Sequence, residues 1–151
     1  MVTTIGTELA FPTLVEDFLH QQVEASDVCR RAAGWVQDPL ARDIVTALAG
    51  IHHRDLAELR RLADACGAPP PERGTDHEAQ TMGQLELARE RHGDGALLAA
   101  VAQVEDEVIR AYERVLTNTA LPAELLPLFE NALAELRRRR ERLDAARRLA
   151  S

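Results

Sequence analysis

Lysine is missing from this sequence: all 18 basic residues are arginine, and 25 acidic residues outnumber them to give a net charge of −7. Nucleic-acid binding draws most of its affinity from cations set against phosphates, so this balance argues against general binding of DNA or RNA. Arginine-only usage is read mainly as the mark of a GC-rich bacterial genome. Aromatic residues are scarce, at 3%. That leaves few platforms for stacking bases or sugars and calls for an aliphatic core. There are only two cysteines, Cys29 and Cys66. No apolar run approaches the roughly 20 residues of a membrane-spanning helix. The opening MVTTIGTELAF has neither a basic start nor a long apolar stretch. No signal peptide is expected from it, and the expected location is the cytoplasm. No stretch alternates with period two, which argues against strands. A glycine-rich phosphate loop, a nucleophile motif and a Cys-x-x-Cys pair are missing as well.

What is present is helix. A chain of 151 residues, 46% hydrophobic and 28% charged, suits a single domain over residues 1–151. Start and stop signals divide it into α1 (about 11–37), α2 (39–66), a shorter α3 (76–91), α4 (94–117) and α5 (121–150). Thr13 with Glu16 has capping-box spacing at the start of α1. Asp38-Pro39 reads as an N-cap followed by proline at the first helical position, opening α2. Gly67 is its stop, and APPPERG (68–74) is non-helical. Thr75 with Glu78 is a second capping box, and GDG (93–95) closes α3.

Short turns predict antiparallel hairpins α1–α2 and α4–α5. The connection from α2 to α4 is long and contains a helix of roughly 16 residues, which at about 1.5 Å per residue spans some 24 Å. That length can carry the chain back, so α2 and α4 should run parallel. The expected fold is all-α: a four-helix bundle with a long crossover, the ferritin-like arrangement. Cys29 and Cys66 then lie at opposite ends, more than about 20 Å apart at helical rise. That is too far for a disulfide, and both are read as small buried hydrophobes.

Some inward positions are polar. On a wheel of about 100° per residue, Gln22 falls on the inner face of α1, Asp55 on that of α2, and Glu105 and Tyr112 on that of α4. His52 borders the same face as Asp55, and His53 points to solvent. With the α1–α2 turn near residue 38, Gln22 is expected level with Asp55. On α5, Arg139 and Arg140 flank the inward line through Leu136 and Leu143. Side chains lean toward the helix N-terminus, so Arg140 is expected at the level of Glu105. Two carboxylates in one layer repel unless a positive charge sits between them. An arginine of α5 could supply it, with the Tyr112 hydroxyl on Glu105. A metal held by Asp55, Glu105 and His52 could also supply it, and such ligands suit Fe, Mn or Zn. A simpler reading leaves both acids half-exposed. No Glu-x-x-His motif precedes either histidine, α5 has no histidine, and His20, His77 and His92 lie elsewhere.

The segments CRRAAGWVQDPLAR (29–42) and VEDEVIRAYERVL (104–116), with the Leu121-Pro122 start of α5, resemble an uncharacterised bacterial branch of the ferritin-like superfamily, a domain family of unknown function. The resemblance covers about residues 12–148. It implies carboxylates on α1, α2 and α4 and a histidine on α5. In this chain those positions hold Ser26, Ile51, Glu105 and Arg140, so one of the four is kept. Asp55, one turn after Ile51, is a candidate displaced ligand.

The run ELRRRRERLDAARR (135–148) could suggest nucleic-acid binding. Its interspersed acids and the favourable placing of arginine near a helix C-terminus fit a solvated structural face better. Trp35 should cap the end of the core. The expected function is a non-catalytic binding or stress-associated helper with a largely degenerate di-iron site and no favoured cofactor. The alternative is an Fe, Mn or Zn protein with a reduced carboxylate–histidine site. A homodimer is the base-rate expectation for soluble oligomers.

Overall fold

The computed structural model describes residues 4–69, 75–91 and 93–150. Among the described residues all regular structure is helical. The order is α1 (Phe11–Trp35), α2 (Pro39–Cys66), α3 (Asp76–Glu90), α4 (Gly95–Val115), a short 3₁₀ turn (Ala123–Leu125) and α5 (Leu126–Ala150).

Local chemistry sets several helix ends. Asp38 Oδ2 accepts from the Ala41 N–H at 2.8 Å, and Pro39 takes the first position of α2, where a missing N–H costs nothing. Gly67 ends that helix at φ +76°, the left-handed cap conformation glycine adopts without strain. Thr75 Oγ1 accepts from the Glu78 N–H at 3.1 Å. The expected capping box of Thr13 and Glu16 is not the start of α1. That helix begins at Phe11, with Ala10 as N-cap and no side-chain cap. Pro12 decides it: its fixed φ and absent N–H suit the first turn. α1 stops at Trp35 rather than residue 37, and α5 becomes α-helical only at Leu126.

α1 packs on α2 and α4, α5 packs on the same two helices, and α3 lies against α1 and α4. Bonds between α1 and α4 join Gln22 to Tyr112 and Cys29 to Glu105, and just past the end of α1 Gln37 bonds to Asp94, the N-cap of α4. Numbers rise along α1 as they fall along α4, so the two helices are antiparallel. Across α2 and α5, Arg54 pairs with Glu135, while Leu40 and Ile44 share a groove with Ala146 and Leu149. This pair is antiparallel too. No helix among the described residues is long and apolar enough to cross a membrane.

The apolar core is divided. One cluster joins Leu14, Phe18 and Val23 of α1 to Ile51, Leu59, Val108, Phe129 and Leu136. The other joins Val28 and Ala32 to Val45, Leu48, Leu98, Val101 and Leu143. Each long helix passes through both, and Gln22, His52 and Glu105 lie at the join. Phe18, Tyr112 and Phe129 pack edge-on or tilted, with ring centroids 5.1–5.8 Å apart. Trp35, half-buried at the far end, carries the Arg89 guanidinium 4.5 Å over its ring.

A segment before α1, outside any expected helix, straps onto the end of α4. The Arg114 Nε donates to Ile5 O at 2.7 Å. The Asn118 amide donates to Gly6 O at 2.9 Å and to Glu8 O at 2.8 Å. Glu8 is buried there, accepting from the Gly6 N–H at 2.7 Å.

Candidate metal centre

The centre of the molecule is polar. α1 presents Gln22 and Cys29, two turns apart on one face. α2 presents His52 and α4 presents Glu105, and all four are fully buried at 0% exposure. The Gln22 amide NH₂ donates to the Tyr112 hydroxyl at 3.3 Å. Its oxygen therefore faces His52, and the His52 Nδ1–H donates to it at 2.8 Å. His52 Nε2 lies 2.5 Å from Glu105 Oε1. Two lone pairs cannot approach so closely, so a proton lies between them. The Cys29 thiol donates to the same Oε1 at 3.3 Å. The other oxygen, Glu105 Oε2, is buried without a partner among the described residues.

Burial pulls the His52 pKa down, but the carboxylate of Glu105, in contact with it, outweighs burial and holds it above the usual imidazole value. Burial, reinforced by the same carboxylate, pushes the Cys29 thiol well above its ordinary range. Burial likewise raises the Tyr112 phenol.

Cys29, His52 and Glu105 place one sulfur, one nitrogen and one oxygen within 4.8 Å of one another. They are the one such group among the described residues. His52 has the arrangement common to metal-bound histidines: one ring N–H fixed by an acceptor, the other nitrogen facing the remaining ligands. Thiolate, imidazole and carboxylate together suit Zn²⁺ and related transition ions.

The structure redistributes the residues singled out from the sequence. Gln22, His52, Asp55, Glu105 and Tyr112 are all buried. His52 is at the centre, although the pattern puts it at the edge of its face. α1 ends two residues early, which shifts the α1–α2 turn and brings Gln22 level with His52 instead of Asp55. The Tyr112 hydroxyl meets Gln22, not Glu105. Asp55 stands outside the convergent trio, and its cation is Arg54 of its own helix, 3.4 Å away. Burial raises the Asp55 carboxyl pKa, partly offset by Arg54 and His52.

Neither Arg139 nor Arg140 neutralises the central acids. Arg140 binds Asp106 at 2.9 Å and also Asp144. On the flank of α5 a guanidinium keeps part of its hydration and gains two carboxylates, whereas in the centre it would lose all its water. Arg139 lines a surface groove with Leu40 and Asp43. His77 is exposed and pairs with Glu24 at 2.7 Å; His53 is exposed; His92 lies outside the described residues. Cys66 is only partly buried. Cys29 is more than a small hydrophobe, and the available signal was its place on the same α1 stripe as Gln22.

Of the positions the family resemblance would equip with ligands, Ile51 is packed in an apolar cluster and Arg140 is ion-paired elsewhere. Glu105 alone is a central carboxylate, so the residues do not fit a carboxylate-bridged dinuclear centre. Their donor types, one sulfur, one nitrogen and one oxygen, are those of a mixed-ligand site for a single ion. Compared with known protein families, curated proteins and solved structures, the chain matches none.

Proposed function

We propose that this chain is a ferritin-like four-helix bundle in which the dinuclear centre has given way to a single internal site for a divalent transition ion. The protein holds or senses that ion without catalysing a reaction on it. The antiparallel α1–α4 and α2–α5 pairs and the long connection through α3 support the bundle. The convergence of Cys29, His52 and Glu105 carries the functional reading. Their complete burial supports a non-catalytic role, because a substrate would have no room beside the ion.

Charge balance supports the same reading. The site as it stands holds two replaceable protons, the Cys29 thiol proton and the one between His52 and Glu105. One divalent ion exchanged for two protons leaves the net charge of a water-free layer unchanged, so no stranded charge opposes binding. Glu105 Oε2 offers a further unused donor atom.

The His52–Glu105 separation favours a second reading, a closed hydrogen-bond network with no ion. Ligands around a tetrahedral zinc stand about 3.3 Å apart or more, given bond lengths near 2 Å. The pair, at 2.5 Å, must therefore part to admit one.

Elemental analysis decides between them. Untagged protein, loaded with Zn²⁺ or Co²⁺ and desalted, should retain about one ion per chain, and Cys29→Ser and Glu105→Gln should retain far less. Wild-type protein that emerges metal-free after loading would establish the closed network instead.

A further inference from the structure

Asp55 lies outside the central trio and is nearly buried. Its side chain is 9% exposed, and its Oδ2 is buried with no hydrogen-bond partner among the described residues. It lines a small cleft between α2, α4 and α5 together with Glu58, Tyr112, Leu128 and Phe129. The cleft has space of about 20 Å³ for the centre of a water-sized group, which is room for a single ion or water. A buried carboxylate oxygen without a donor is costly, and a cation held at Asp55 would offset that cost.

Two residues of this cleft, Asp55 and Tyr112, link it to the central layer. Asp55 follows His52 by three residues, about 4.5 Å along the helix axis. Tyr112, which also lines the cleft, bonds to Gln22, and Gln22 bonds to His52. Glu58 lines the cleft, and Glu135 adds negative charge near Asp55. Two guanidiniums oppose them. Arg61 pairs with Glu58, and Arg54 binds Glu135 at 2.6 Å while reaching Asp55 Oδ1 at 3.4 Å.

Building on the metal reading above, we infer that Asp55 is the entry group of the internal site: a divalent ion is drawn from the cleft to the Asp55 carboxylate and passed about 4.5 Å along α2 to Cys29, His52 and Glu105. Arg54 competes with the incoming ion for Asp55, so it retards entry. The two residues should act with opposite signs, which a merely structural contribution of either would not produce.

Cobalt(II) is the probe, because a thiolate–cobalt charge-transfer band reports arrival at Cys29. Stopped-flow mixing of metal-free protein with Co²⁺ should show Asp55→Asn filling about tenfold more slowly than wild type, in line with steering effects on association. The band should keep its position, since the inner ligands are untouched. Arg54→Gln, at an exposed position, should fill faster. Asp55→Asn filling at the wild-type rate or faster, or Arg54→Gln filling more slowly, would overturn the entry role and leave the inner site standing. Absence of the band in wild type would overturn the metal reading, and the entry role with it.

Discussion

At the residue scale, the pair His52–Glu105 dominates. Both side chains are fully buried and each compensates the other. Removing one partner of such a pair strands a charge and typically costs about 3–5 kcal/mol. His52→Ala should therefore destabilise metal-free protein by that order in urea unfolding. Replacing both at once, as His52→Met with Glu105→Met, should recover most of the loss, because well-packed apolar residues replace buried ion pairs with little penalty. Full additivity in the double variant would show that the two do not act as a pair. Gly6 is a second sensitive position. Its φ of +100° and the 2.7 Å that would separate an added Cβ from Ala111 O leave no room for alanine. Gly6→Ala should lower stability by about 1–3 kcal/mol through strain and displacement of the strap.

At the scale of elements, the strap before α1 carries a pH response. Burial, together with neighbouring Asp17, raises the Glu8 carboxyl from 4.5 to about 7. A raised folded pKa means that folding favours the protonated acid. Its stabilising contribution is complete below pH 4.5 and is lost as pH rises toward 7. Glu8→Gln should thus gain stability relative to wild type at pH 8 and show little gain at pH 4. An equal difference at both pH values would contradict the raised carboxyl. At the α1–α2 turn, Asp38 caps α2, and Asp94 receives the Gln37 and Asp38 N–H groups at 2.9 and 2.8 Å. Asp38→Ala should cost about 1 kcal/mol, the usual worth of an N-cap, measured by thermal melting.

These elements also show what the sequence could reveal. Asp38-Pro39, Gly67 and Thr75 act within a few residues of themselves, so their effects are legible from the string. The inward stripes are legible for the same reason, because 3.6-residue periodicity is local. Pairings between helices are not. Whether Tyr112 meets Glu105 or Gln22, and whether His52 or Asp55 comes level with Gln22, depends on where the turn falls, which a two-residue difference in helix length can alter. The strap has no periodicity, and its bonds reach over a hundred residues along the chain, so nothing local announced that Glu8 would be buried. Cys29 was on the right stripe, but a thiol among alanines and valines looks apolar until its neighbour is known.

At the scale of the whole molecule, the polar layer cuts the apolar core in two. Helices that cross a layer of this kind are bound by apolar contacts above and below it and by hydrogen bonds within it. The expected consequence is that the two ends behave as cooperative folding units in series, with the layer as their coupling. Native-state hydrogen exchange should find the α1–α2 turn end, around Val45 and Leu98, opening at a different free energy from the end around Phe18 and Phe129. An ion that ties α1, α2 and α4 together at the join should bring the two openings toward one value. The occupant of three side chains would then set how many independent pieces the protein unfolds in.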